Sequence, residues 1–191
     1  MKTSILAAAL GLAFSGAVFA QAGTIQRDVN QQQRIEQGLQ SGQLTTREAA
    51  RLEREEARVE RDHARALQDG KLTPAEKARL AREQNKVSRD IYREKHDAQT
   101  GNPNSASSQR MQADVQRDIN QQRRIEQGVR SGELTNREAA RLERGEARIN
   151  RQEARAGADG HVGAREQRRV QKAENRESRR IHREKHDAQS K

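Results

Sequence analysis

The chain repeats itself without a gap. Residues 25–99 align with residues 115–189 at a constant offset of 90, and 45 of the 75 paired positions are identical. The phrase RDVNQQQRIEQGLQSGQLTTREAARLEREEARVER returns as RDINQQRRIEQGVRSGELTNREAARLERGEARINR. A fold for this chain must therefore accommodate one structural unit twice. Residues 24–99 form the first module and 111–191 the second. The intervening 100–110, which contains TGNPNSASSQ, has the Gly, Pro, Asn and Ser content of a flexible linker.

Within a module the helix boundaries are spelled out locally. Ser41-Gly42-Gln43-Leu44-Thr45-Thr46-Arg47-Glu48 is echoed by Asp69-Gly70-Lys71-Leu72-Thr73-Pro74-Ala75-Glu76. In each, glycine supplies a left-handed turn that stops one helix. Threonine caps the next, and Glu three residues later closes a capping box. Pro74 stands at the first helical position, where its missing N–H costs nothing. Three helices per module follow, near 25–38, 46–67 and 74–97, and again 90 residues later. Ile25, Val29, Ile35 and Leu39 form one apolar stripe. Ala49, Leu52, Val59 and Ala66 form a second, and Leu80, Val87 and Ile91 a third, all near helical spacing. No segment alternates with period two. The expected fold is all-α: two tandem three-helix modules, each a long helical hairpin extended by one helix, joined by the linker. Each module has about a dozen large aliphatics, a thin core at which compact folding is marginal. Long, partly frayed helices are the alternative.

The N-terminus reads as an export signal. Met1-Lys2 precedes the apolar run Ile5 to Ala13, and Val18-Phe19-Ala20 has the small-x-Ala shape of a cleavage site before Gln21. No segment reaches the roughly 18 apolar residues of a membrane span. With no cysteine there is no lipid-attachment thiol or disulfide. A periplasmic or secreted location is expected, with residues 1–20 as the signal peptide. Phe14 and Phe19 leave with it, so Tyr92 becomes the only aromatic residue. Aromatic platforms for bases, sugars or quaternary amines are thereby excluded.

Candidate chemistry is sparse. Gly42, Leu44, Thr45 and Glu48 match the later positions of a calcium-binding EF-hand loop, as do Gly70, Leu72, Thr73 and Glu76. The early positions that must supply acidic oxygens hold Gln37, Leu39, Arg65 and Leu67. The capping box explains the same residues without a metal. His182 and His186 lie at i and i+4 on one helix face, a zinc-like spacing, but two ligands do not close a site. No nucleophile and base are arranged for catalysis, and the alternation of carboxylates with arginines suits solvated ion pairs. Neither an enzyme nor a cofactor is expected.

Arginine is the strongest remaining pattern. Arg47, Arg51, Arg54, Arg58, Arg61 and Arg65 recur as Arg137, Arg141, Arg144, Arg148, Arg151 and Arg155. In the second copy Glu55 becomes Gly145 and Asp62 becomes Gln152, removing acidic neighbours. Residues 21–99 carry 16 basic and 14 acidic side chains, whereas 110–191 carry 21 and 14. The second arginine stripe is the expected contact for an anionic envelope polymer or an acidic protein. Neither sequence-specific nucleic-acid binding nor membrane insertion is expected. Gly145, Gly157, Gly163 and Glu177 replace Glu55, Leu67, Thr73 and Val87, and a looser second module is expected from them.

The export signal, the doubled LTxxE helix starts and the Arg/Gln/Glu-rich helices resemble uncharacterised exported helical repeat proteins of Gram-negative bacteria. That resemblance implies no activity. Leu44-Thr45 and Leu72-Thr73 are also similar to the LTxxQ repeat of periplasmic stress chaperones, with Glu in place of Gln. The expected function is a non-enzymatic binding or scaffolding role in the envelope. The alternatives are a stress chaperone of that type and a calcium- or zinc-responsive periplasmic protein.

Overall fold

The computed structural model describes residues 13–187, with side chains from Gln21 onward. Residues 1–12 of the expected signal segment lie outside the described residues. Six helices follow one another: α1 Ala13–Ser41, α2 Thr46–Ala66, α3 Pro74–Glu94, α4 Ala106–Ser131, α5 Asn136–Ala156 and α6 Ala164–Lys185. The described chain is all-helical, three helices to each copy, and no described helix is long and apolar enough to cross a membrane.

The local signals act as read. Thr45 accepts a hydrogen bond from the Glu48 amide, while Glu48 takes one from the Thr45 amide at 2.8 Å. The same reciprocal pair opens α3 and α5. At α6 Gly163 has no hydroxyl to offer, yet its amide still donates to Glu166 at 2.8 Å. Gly42 and Gly132 turn left-handed at φ of 76° and 79° to end α1 and α4. Gly38 is needed for another reason: a Cβ there would lie 2.6 Å from Leu44, whose amide folds back onto the Gly38 carbonyl at 2.9 Å.

The modules do not stand apart. Helix α1 packs along α4, and α2 along α5. Both pairs are antiparallel. One apolar cluster joins Ile35 and Leu39 near the end of α1 to Met111, Val115 and Ile119 near the start of α4. A second joins Ala22 and Ile25 to Ile125 and Val129. The four helices form a central bundle about a pseudo-twofold axis that relates each residue to the one 90 positions on. Helix α3 covers α1 and α2, and α6 covers α4 and α5. Equivalent clamps hold these outer helices: Arg34 donates to the Ser88 hydroxyl at 2.6 Å, and Arg124 to that of Ser178 at 2.7 Å. The thin core of each module is thus completed by the other, and burial of each large aliphatic contributes about 1.5–3 kcal/mol.

The linker is tied down at both ends. The Gly101 amide donates to the Gly42 carbonyl at 2.8 Å, and a Cβ on Gly101 would meet the Leu44 carbonyl oxygen at 2.3 Å. Ser105 then caps α4, which begins at Ala106, inside the span read as linker.

Three of the four substitutions expected to loosen the second module belong to matched pairs. A Cβ on Gly145 would lie 2.1 Å from the Glu177 carboxyl carbon, so losing Glu55 makes room for the acid that replaces Val87. A Cβ on Gly157 would lie 2.5 Å from the Met111 methyl, so losing Leu67 makes room for methionine.

Candidate metal centre

The arginines of α2 and α5 face away from one row of the acids on the same helices. At 100° per residue, Arg51, Arg54, Arg58, Arg61 and Arg65 centre roughly 160° around the helix from Glu53, Glu56, Glu60 and His63. Alanines and Leu or Val flank the acidic stripe, so the face that enters the bundle carries the acids with it. Glu53, Glu56, Glu60, Glu143, Glu146 and Glu153 are all buried, as are Asp28 of α1 and Asp118 of α4. The reading of these helix carboxylates as solvated ion pairs is therefore corrected: pairing of that kind is left to outward acids such as Asp62, 3.7 Å from Arg65.

Eight acids and one imidazole, His63, line the axis, and no Lys or Arg is buried among the described residues. Isolated buried carboxylates cost several kcal/mol each unless protonated, hydrogen-bonded or bound to a cation. A few have hydrogen bonds. Glu60 accepts from Gln122 at 2.7 Å and from Asn150 at 3.1 Å, and Glu53 from Gln32 at 2.9 Å. Both oxygens of Glu56, Glu143, Glu146, Glu153 and Asp118 make no hydrogen bond to any protein group. Burial raises the pKa of Asp28 to about 7, reinforced by the charge of Glu143. It lifts Glu53 to about 7 against the pull of its Gln32 bond. Burial, then neighbouring carboxylates, push Glu56, Glu60, Asp118, Glu146 and Glu153 well above the usual range.

The acids gather into two clusters related by the pseudo-twofold axis. Asp28, His63 and Glu143 bring one donor atom each within 4.8 Å of the others, and Glu53, Asp118 and Glu153 do the same. That separation is at most twice a calcium–oxygen distance of about 2.4 Å, so small side-chain movements place all three donors on one ion. His63 is fully buried, and neither ring nitrogen has a hydrogen-bond partner. Its Nδ1 lies 3.7 Å from Glu143 Oε2, beyond hydrogen-bond length. Burial works against its imidazolium, but Glu143 and then Asp28 outweigh that and raise its pKa. Gln84 of α3 orients the cluster from behind, donating to Asp28 Oδ1 at 2.6 Å and leaving Oδ2 unbonded.

Two outer triads, Glu48–Glu94–Asp97 and Glu138–Glu184–Asp187, are also compact. Arginine already serves them: Arg51 lies 3.2 Å from Glu94, and Arg141 3.3 Å from Glu184. His182 and His186, the metal candidates of the sequence, are exposed and lie ring against ring at 4.3 Å, with His186 Nδ1 on the His182 carbonyl. They belong to no cluster of three ligands among the described residues. His63 escaped the sequence reading because it has no histidine counterpart, Glu153 standing in its place. The signal that would have found it is Glu53-x-x-Glu56-x-x-x-Glu60-x-x-His63, one helix face opposite the arginines.

Of the second arginine stripe, Arg137, Arg148 and Arg155 are exposed, and the charge of Arg148 partly offsets the burial of Glu177. Arg141 is engaged by Glu184, Arg151 donates to the Ala147 carbonyl at 3.2 Å, and Arg144 is half-buried. The chain matches no protein-family model, no curated protein and no solved structure.

Proposed function

We propose that this protein binds divalent metal ions inside its four-helix centre, and that it does so in the periplasm without catalysing a reaction. The observation that supports this best is His63: a fully buried imidazole, unbonded at both nitrogens, facing two buried carboxylates from two other helices. Apolar packing does not explain an imidazole and eight acids on one axis, whereas a cation satisfies their charge and their lone pairs together. Each cluster draws ligands from both modules, so an ion would clamp the two copies to each other.

The test is titration of chelator-treated protein with Zn²⁺ and with Mn²⁺ by calorimetry, with bound metal counted by mass spectrometry. Stoichiometric binding with a raised melting temperature is expected, weakened by Asp28→Asn and Glu143→Gln. Failure of both ions to bind more tightly than about millimolar, where extracellular calcium modules already lie, refutes the proposal.

A second reading rests on the outer face of α5. Arg137, Arg148 and Arg155 form an exposed basic row that suits an anionic envelope polymer. Replacing the three by Gln is expected to weaken salt-sensitive retention on heparin and leave metal stoichiometry unchanged. Unaltered retention removes this reading.

A further inference from the structure

We propose, building on the metal-binding reading, that the two centres take ions of different class: a borderline transition ion such as Zn²⁺ or Co²⁺ at Asp28–His63–Glu143, and a hard ion such as Mn²⁺ or Ca²⁺ at Glu53–Asp118–Glu153. The pseudo-twofold axis turns one triad into the other residue by residue. Asp28 maps to Asp118, Glu143 to Glu53, and His63 to Glu153. Only the last pair differs in chemistry.

That single difference decides the ligand field. Imidazole nitrogen suits zinc, copper, iron and nickel, while all-oxygen sets suit magnesium, calcium and manganese. Two carboxylates and a neutral imidazole balance one divalent ion. Three carboxylates over-balance it, which favours a hard, oxygen-seeking ion of higher coordination number.

The surroundings diverge in the same direction. Behind the first centre stands Gln84, a neutral amide bonded to Asp28. Its counterpart behind the second is Glu174, a buried acid 2.9 Å from Arg117. Asp118 and Glu153 have all four carboxylate oxygens unbonded within a fully buried setting, so the second centre is as starved of partners as the first. One helical turn beyond Glu53 and Glu143, Glu56 and Glu146 carry further unbonded oxygens, outside both triads.

The experiment uses the full chain carrying His182→Ala and His186→Ala, which removes the exposed pair. Metal-free protein is loaded with Co²⁺, then with Mn²⁺, and read by paramagnetically shifted imidazole N–H resonances, by manganese spin resonance and by total metal content. Two ions per chain are expected, one cobalt with a single coordinated imidazole and one manganese without. His63→Glu should abolish the imidazole signal, retain two ions and lower the cobalt-over-manganese preference of the first centre by about tenfold or more. Glu153→His should create a second imidazole signal. Circular dichroism checks that each variant folds, and His63→Gln replaces His63→Glu if the added charge unfolds the chain. Two ions with the same preference before and after the His63 substitution overturn the inference but leave the metal-binding reading standing. A single bound ion overturns it as well. No bound ion defeats the metal-binding reading itself.

Discussion

The metal-free protein should lose stability as pH rises from about 5 to about 8, the reverse of ordinary carboxylate behaviour. Asp28 goes from 3.8 to about 7 and Glu53 from 4.5 to about 7 on folding, chiefly through burial. A carboxyl with a raised folded-state pKa binds its proton more tightly in the folded chain. Its contribution is therefore fully present below the unfolded pKa, near 4, and is lost as pH climbs through about 7. Each group sets a slope of about 1.4 kcal/mol per pH unit between its two pKa values. For these two alone the loss between about pH 5 and pH 7 is about 5 kcal/mol, comparable to the whole stability of a small domain. Asp114, raised to about 8 first by burial and then by Glu174, extends the fall above neutrality. A bound divalent ion replaces the protons, and at a hundred times its dissociation constant it restores about 2.7 kcal/mol per site. The assay is urea unfolding followed by far-ultraviolet circular dichroism, since the chain has no tryptophan and its one tyrosine is 61% exposed. Stability should fall with pH in chelator and recover near pH 8 when Zn²⁺ is added. A chelated protein equally stable at both pH values, or more stable at the higher, would show that the acids do not occupy the interior.

Gly145→Glu should destabilise by about 1–3 kcal/mol through collision with Glu177, and adding Glu177→Val, which recreates the Glu55/Val87 pair, should recover most of the loss. Strict additivity in the double-mutant cycle would dismiss the compensation. Gly157→Leu should cost a similar amount against Met111 and Ala50, with partial recovery on Met111→Ala. Thr135→Ala should lower stability by about 1 kcal/mol through loss of the α5 cap, measured by the urea midpoint. Residues 21–99 alone should be helical only as a dimer that copies the pseudo-twofold pairing, so helix content should depend on concentration. A concentration-independent folded monomer would count against the shared core.

Helix number, order and ends were legible because they are set by neighbours in sequence: Gly42, Thr45 and Glu48 act on one another within seven residues. Helix pairing was not. The contacts that decide it join positions such as Glu60 and Asn150, 90 residues apart, and any two copies with apolar stripes satisfy the same pattern. The burial of Glu53, Glu56 and Glu60 departs from the solvated-pair expectation because arginine and glutamate alternating at helical spacing are compatible with two arrangements. A solvated ladder has both charges outward, whereas this helix has arginine outward and glutamate inward. Helical phase separates the two, since charges that pair along one face cannot lie roughly 160° apart. Taken one at a time, the substitutions of the second copy all point to loosening, and only three-dimensional contact shows Gly145 beside Glu177 and Gly157 beside Met111.

The inward turn of the acids also changes what the net charge of +10 means. That figure counts carboxylates buried inside the bundle, the eight axial ones among them, and their burial leaves the arginines as the face that solvent sees. Protonation or a bound ion cancels the interior charge, so the exterior is more basic than the sequence total in either state. The interior and exterior readings then become physically linked. An ion that closes the axis adds positive charge without altering the surface, and its long-range effect on an anionic partner fades within a Debye length of about 8 Å at physiological salt. Metal loading should therefore shift heparin retention only where it stiffens α5 and fixes the spacing of Arg137, Arg148 and Arg155. Retention unchanged by Zn²⁺ at low salt but lost in the triple Arg→Gln variant would separate the two activities. Retention that rises with Zn²⁺ and falls back in Glu143→Gln would mean that the core controls the surface.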